Sequence, residues 1–465
     1  MSNLTDQQVT QIASQLAVKM QGGNVAVSAT GGGVFETVDQ AVTAATAAYK
    51  QLGSLPLALR DAIINAIRES MRSNAELLAQ MAIDETGLGR YEHKVQKNLL
   101  VTNKTEGTEA LKPRAASGDR GLTLVEYAPY GVIGSITPVT NPTSTIICNS
   151  IGMIAAGNAV VFNVHPGAKN CSMATIRLIN QASIDAGGPA NIVTAVGSPT
   201  IESAGELMHH PGIRLLVVTG GAGVVKAAMQ SGKRAICAGP GNPPVVVDET
   251  ADLEVAARGI VDGASFDNNI ICVDEKEVFV VDSVADELIR LMKTCGAYQP
   301  DVSDQRKIER TIFTDKPGYM NKDMIGRDAN FILSASGVNG PDCKLIILDV
   351  SADHPLVAAE QMMPVLPIIR VPDCDTAIEL ALEAEHGFGH SAGMYSRNID
   401  ALSKMARAIN ASIFVKNGCH IAGLGAGGEG FSSFTIASPT GEGLTGPISF
   451  SRERRCIMVD HFRIV

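Results

Sequence analysis

No C-x-x-C pair occurs in this chain, and its nine cysteines (148, 171, 237, 272, 295, 343, 374, 419 and 456) never come closer than 23 residues. That spacing excludes a zinc ribbon and a disulfide framework, and scattered thiols of odd number belong in a reducing, cytoplasmic setting. Basic residues are also in deficit. With 38 Lys+Arg against 48 Asp+Glu, the formal charge of -10 leaves no broad cationic surface for nucleic-acid phosphates. The first eighteen residues lack both a basic start and an apolar block, so no secretory signal is read there. Ala128 to Val164 contains no Asp, Glu, Lys or Arg. Pro129, Pro138, Asn141, Pro142, Asn149, Gly157 and Asn158 interrupt it before ~20 apolar residues accumulate, so it reads as buried strands and one helix, not a membrane span.

What is present is a large folded body. The chain has 465 residues, 45% hydrophobic and 18% charged, which excludes disorder over most of its length. At ~150 residues per domain it holds roughly three domains. Thr5 and Gln8 form a capping box, and Val9, Ile12, Ala13, Leu16 and Met20 make one apolar helical stripe. Gln21 to Gly33 is rich in small residues and reads as a flexible linker. The helix over residues 1–20 therefore docks either on its own domain or, as the tether favours, on another protein.

From Val34 the chain reads as helical, with Leu57, Ile63, Ile64, Ile67 and Met71 in one stripe. Ser73 with Glu76 is expected to cap the next helix, which stops near Gly87. Between Tyr130 and Gln230 candidate strands Gly131–Ile136, Ala159–Val164, Asn191–Val196 and Ile213–Val218 alternate with helices, the pattern of a parallel sheet built from βαβ units. A second series runs from Pro244–Asp248 to Ser412–Lys416. The final 30 or so residues alternate apolar and polar, as strands that pair with another subunit or form an edge hairpin.

Two places could carry chemistry. Thr219-Gly220-Gly221-Ala222-Gly223 follows a strand and opens a helix, where backbone N–H groups favour an anion such as pyrophosphate. It is no P-loop, because Arg234 follows Gly232-Lys233. Gly423, Gly425 and Gly428 match G-x-G-x-x-G, but Phe431–Thr435 reads as strand instead of helix, which disqualifies the match. Cys272 ends the run Ser265-Phe266-Asp267-Asn268-Asn269-Ile270-Ile271-Cys272 between a helix and the strand Glu277–Val281, the setting of a nucleophile. His386 and His390 bracket Gly-Phe-Gly, which does not hold a helical zinc face, and no metal is expected.

The run Tyr130–Pro138, the Thr219-Gly220-Gly221 turn, Cys272 and Glu360-Gln361-Met362-Met363-Pro364-Val365 resemble the aldehyde dehydrogenase superfamily in the right order. Ala238–Pro244, Ser265–Cys272, Ser412–Gly418 and Pro439–Gly443 are similar to its CoA-acylating branch from bacterial microcompartments, the acetaldehyde and propionaldehyde dehydrogenases of ethanolamine and propanediol utilisation. The resemblance implies an α/β fold with a Rossmann-like cofactor domain (34–240), an α/β catalytic domain (241–430) and a small β oligomerisation element (431–465). It implies Cys272 as nucleophile, with Thr137, Pro138, His165, Pro166, Thr219, Gly220, Gly221 and Glu360 as cofactor-binding positions, Glu360 on the nicotinamide ribose. The oxyanion donor falls on Thr140 or Asn141, and Asn141 is chosen because an amide N–H₂ is readily aimed. NAD and coenzyme A are the implied cofactors, with NADP not distinguished from NAD. The implied reaction turns a short-chain aldehyde, CoA and NAD⁺ into acyl-CoA and NADH. A homo-oligomer, dimer or tetramer, is expected. Residues 1–20 resemble an encapsulation peptide that reaches shell or lumen proteins, which places the enzyme in a cytoplasmic microcompartment.

Two departures from hydrolytic aldehyde dehydrogenases carry weight. No carboxylate lies between Arg234 and Val247, where those enzymes keep a general base near the position of Cys237. Such a base is worth about 10²–10⁴-fold for attack by water, whereas CoA brings its own thiol. The lysine that holds the adenosine ribose is replaced by Asn163, followed by Val164-His165-Pro166. A hydrolytic enzyme, a thiolase and a non-catalytic lumen scaffold are the rival readings.

Overall fold

A computed structural model describes residues 31–316 and 318–465; the expected helix over 1–20 and the linker up to residue 30 lie outside the described residues. Two parallel sheets dominate. Six strands lie in the spatial order Val34–Phe35, Val193–Val196, Ala159–Asn163, Val132–Ile136, Leu215–Thr219 and Ala235–Ala238. Seven form the second sheet, in the order Ala297–Tyr298, Leu345–Asp349, Val365–Val371, Glu277–Val281, Pro244–Val247, Ser391–Tyr395 and Ile413–Lys416. The central strands are short apolar runs buried along their length, as parallel strands covered on both faces must be.

The order of the first sheet positions the site. From strand Val132–Ile136 the chain adds strands on one side, then returns to lay Leu215–Thr219 on the other. Loops leaving these two neighbours diverge, which opens a crevice at their carboxyl ends. The charge-free stretch supplies two of these strands and the helix Pro142–Ala155 between them, buried at every position. Pro142 at its first turn costs no hydrogen bond, since that N–H has no partner in a helix. Among the described residues no helix is long and apolar enough to cross a membrane.

A third sheet is antiparallel. Strand Ser451–Val459 pairs with Gly121–Pro129 from Ser451 opposite Pro129 to Val459 opposite Gly121, and Arg114–Gly118 covers the other edge. The C-terminal strand thus joins a hairpin from the stretch assigned to the cofactor domain. The segment before it does not project: Phe434, Ile436 and Phe450 pack into the core of the first sheet.

Three local readings are corrected. Ser73 ends the helix Leu57–Ser73 instead of capping the next one, and Asn74 forms the junction without a side-chain cap. The following helix, Ala75–Thr86, does stop at Gly87, whose φ of 65° suits glycine. Phe431–Thr435 is irregular; only Ile436–Ala437 is strand. There the side chains compete with a ladder: Ser433 Oγ donates to the Thr435 carbonyl (3.2 Å), and Thr435 Oγ1 donates to Asn149 Oδ1 (3.0 Å). Finally, Gly31–Gly33 are part of the fold. The Gly33 carbonyl accepts from Ala195 N–H (2.9 Å), and at φ 96° a Cβ there would sit 2.6 Å from the Val193 carbonyl oxygen.

Candidate active site

A cavity of about 530 Å³ occupies the crevice, and all ten candidate residues line it: Thr137, Pro138, Asn141, His165, Pro166, Thr219, Gly220, Gly221, Cys272 and Glu360. Thr140, the alternative oxyanion donor, lines it too. Most of the remaining wall is apolar, including Val139, Val164, Ile201, Val224, Ile270, Ile271 and Phe434.

Cys272 is presented by an unusual turn. Asp267, Asn268 and Asn269 have φ values of 45°, 57° and 64°, three left-handed non-glycine residues in a row. Each costs roughly 1 kcal/mol and persists only where its surroundings over-determine it; Asn and Asp tolerate the region best. The surroundings are explicit. Asn268 donates to the Gly326 carbonyl and accepts from Arg90 Nε (2.9 and 2.8 Å), and Asn269 donates to the carbonyls of Ala264 and Glu275 (both 2.9 Å). Asp267 accepts from Arg90 N–H (2.7 Å), from Lys94 (3.2 Å) and from Lys97. Beneath the turn the buried Lys276 donates to the carbonyl and Oδ1 of Asn269 (2.8 and 2.5 Å), and its own carbonyl accepts from Gln361 Nε2 (2.8 Å). One lysine therefore braces both the Cys272 turn and the Glu360 loop.

Burial pushes the Cys272 thiol up to about 12; the Glu360 carboxylate adds to the rise and Lys276 opposes it. Glu360 is itself raised above the ordinary carboxylate range by burial, against the pull of Lys276 and the Gly241 N–H. Gly241 has no room for a side chain, since a Cβ would lie 2.8 Å from the Cys272 carbonyl oxygen and 2.9 Å from the His390 ring. Asn141 starts the helix Pro142–Ala155 and faces the thiol's cavity. Its Oδ1 accepts from Lys97 Nζ (2.6 Å), and one N–H of its amide goes to Thr140 Oγ1 (3.2 Å).

The nucleotide end of the cavity offers unused donors. Helix Ala222–Gln230 has no side-chain cap, and a Cβ on Gly221 or Gly223 would meet nothing within 4 Å, so a ligand can approach the backbone there. The competing helix, Lys169–Asp185, is already satisfied: Glu85 accepts from the N–H groups of Asn170 and Cys171 (2.7 and 2.8 Å). Thr137 Oγ1 is buried without a partner among the described residues. Asn163, at the place of the absent lysine, accepts from Ser203 Oγ (2.6 Å). Burial lowers the His165 imidazole, and its Nδ1 accepts from Gly167 N–H (3.1 Å). Among the described residues the wall thus carries no ionisable side chain besides Glu360, Cys272 and His165, and its open backbone amides fit the pyrophosphate of a dinucleotide.

Residues 23–306 and 343–441 match the aldehyde dehydrogenase family model. The chain belongs to the aldehyde dehydrogenase family. An acetaldehyde dehydrogenase (acetylating) of Bilophila wadsworthia is 52% identical over 444 residues, which cover 93% of this chain and 91% of that protein. Among solved structures, a propionaldehyde dehydrogenase of Rhodopseudomonas palustris with bound CoA and an acylated cysteine superposes with a TM-score of 0.92 at 49% identity, covering 94% of this chain and all of that one. A propionaldehyde dehydrogenase from the Clostridium phytofermentans fucose-utilisation microcompartment gives 0.91 at 48%, covering 93% and 100%.

Within this aldehyde dehydrogenase fold, three buried lysines are not marked by any motif of the sequence, Lys94, Lys97 and Lys276, nor is the role of Asp267 as the carboxylate shared by the first two. Lys94 and Lys97 stand three apart on the helix Tyr91–Lys104, a spacing that places both on one face and was the one available signal.

Proposed function

We propose that this chain is a CoA-acylating aldehyde dehydrogenase that converts a two- or three-carbon aldehyde to its acyl-CoA through a thioester on Cys272. NAD⁺, when bound, accepts the hydride, and coenzyme A supplies the thiol that receives the acyl group. Cys272 adds to the aldehyde carbonyl, and Asn141 N–H₂ meets the oxygen that becomes negative. The thiol first gives its proton up to solvent, where it appears as the H⁺ released in the overall reaction, because at about 12 it is almost wholly protonated at neutral pH. Glu360 orients the ribose, and the amides at Gly221–Gly223 receive the pyrophosphate. The apolar wall keeps water from the thioester.

The observation that carries this reading is the cavity's single carboxylate. Among the described residues Glu360 is the one acidic residue on the wall, and Ala238 occupies the stretch where a hydrolytic base would stand. With Glu360 committed to the ribose, no second carboxylate is left to activate water, and the thioester waits for a thiol. The relatives' own names support the same activity.

Residues 1–20 are proposed to dock the enzyme in a microcompartment, in keeping with the origin of the C. phytofermentans relative. Ile457, Met458 and Val459 are exposed on a sheet whose two edges are unpaired among the described residues, which supports a homo-oligomer built on that sheet.

The test is to supply aldehyde, NAD⁺ and CoA and to follow NADH together with chromatography of the acyl products. Acyl-CoA is expected in equal amount to NADH, and Cys272→Ala is expected to abolish both without loss of the folded state. Free acid as the main product in the presence of CoA would overturn the proposal.

A further inference from the structure

We propose that Lys97 is a positioning residue that fixes the amide of Asn141 so that its N–H₂, and not its oxygen, faces the reacting carbonyl. The inference rests on the reading of Asn141 as oxyanion donor given above. Its ground is a property of ammonium groups: a lysine donates three hydrogen bonds and accepts none. Lys97 Nζ lies 2.6 Å from one terminal atom of the Asn141 amide, so that atom must be the oxygen. The nitrogen then faces the other way, with one N–H on Thr140 Oγ1 and the second left for the cavity. Left alone, an asparagine amide turns over at little cost, and its oxygen would repel a developing oxyanion.

Lys97 is itself held. Its ammonium also donates to Asp267, the first left-handed residue of the Cys272 turn. Lys94, three residues earlier, donates to the same carboxylate and to the Thr140 carbonyl (both 3.2 Å). Two ammonium groups therefore share one buried carboxylate, and the surplus positive charge stands directly behind Asn141. Burial and that crowding push Lys97 down to about 8, with Asp267 opposing. Asp267 stays below the ordinary carboxylate range because Lys97, Lys94 and the Arg90 N–H overcome the penalty of burial. A donor whose oxygen accepts from an ammonium is also polarised into a stronger N–H donor.

The test compares Lys97→Met, Asn141→Ala and the double variant by single-turnover NADH formation and by iodoacetamide alkylation of Cys272. Alkylation uses the same thiol but forms no oxyanion. Asn141→Ala is expected to slow NADH formation about 10²–10³-fold, as for loss of one oxyanion donor, and Lys97→Met roughly 10–100-fold. The double variant should be no slower than Asn141→Ala, with KM for CoA and NAD⁺ and the alkylation rate near wild type in Lys97→Met. If the two losses multiply, or alkylation slows in parallel with turnover, Lys97 acts on the loop or the thiol and the proposal fails. Should Asn141→Ala retain wild-type turnover, the donor assignment itself falls, and this inference falls with it. If the methionine variant does not fold, Lys97→Gln keeps one N–H donor toward Asn141 and is expected to lose less than tenfold. A glutamine variant as slow as Asn141→Ala, with alkylation equally slowed, counts against the proposal.

Discussion

Replacing Glu360 with glutamine is expected to make Cys272 more reactive toward iodoacetamide while turnover falls. The thiol is raised to about 12 by burial first and by the Glu360 carboxylate second. At pH 8 that leaves about one part in 10⁴ as thiolate, the species that is alkylated. Glutamine keeps the shape and removes the charge. A neighbouring carboxylate of this rank is worth on the order of one pKa unit, so alkylation at fixed pH should accelerate about tenfold. The sign has a pH signature. Glu360 is itself raised by burial, so on acidification it becomes neutral and stops opposing the thiolate. The ratio of variant to wild-type rates should therefore be largest above neutrality and approach one as pH falls. Turnover is expected to drop because the carboxylate that orients the ribose is gone. A variant alkylated more slowly than wild type would refute the reasoning, since Glu360 would then be the base that takes the thiol proton.

Two further outcomes separate the remaining readings. Ala238→Glu is expected to raise free-acid release relative to acyl-CoA, because Ala238 lines the cavity; Cys237→Glu should instead destabilise the fold by several kcal/mol, since Cys237 is wholly buried behind the wall and its side chain would become an unpaired buried carboxylate. Thermal melts and product analysis distinguish the two, and unchanged acid release in a folded Ala238→Glu enzyme would weaken the role given to the missing base. Deleting residues 1–20 is expected to leave specific activity intact and to abolish co-sedimentation with microcompartment shells; a truncated enzyme that still co-purifies with shells would contradict it.

The parts of the site legible in the sequence are those whose chemistry is local. Thr219-Gly220-Gly221 shows itself by glycine at a strand–helix junction, Cys272 and Glu360 by short motifs, and the two sheets by apolar runs of strand length. What was missed depends on partners far along the chain. Lys97 and Asp267 stand 170 positions apart, and a helix with Lys94, Lys97 and Lys104 reads from composition as a solvated face. Their burial follows from packing the helix against both the 140–141 turn and the 267–269 turn. Strand Arg114–Gly118 was invisible for the opposite reason. All five of its residues are exposed, so no alternation marks it, and only pairing with Gly121–Pro129 makes it a strand. The C-terminal strand was expected, but its neighbours in the sheet could not be read from its own pattern.

The placement of the lysines also has a chemical logic. A lysine on the wall of an aldehyde site would condense with its substrate, since a neutral amine forms a Schiff base with a carbonyl. That hazard is greatest for an ammonium pushed down to about 8, as Lys97 is. Yet none of Lys94, Lys97 and Lys276 lines the cavity; each is spent on carbonyl or carboxylate oxygens behind it. Positive charge therefore acts on the site through intermediaries: Lys97 through the Asn141 amide, Lys276 through the turn that carries Cys272. The field that favours an oxyanion and a thiolate is kept, while the nucleophilic nitrogen is withheld from the aldehyde. Asparagine on the wall with lysine behind it achieves what lysine on the wall would not.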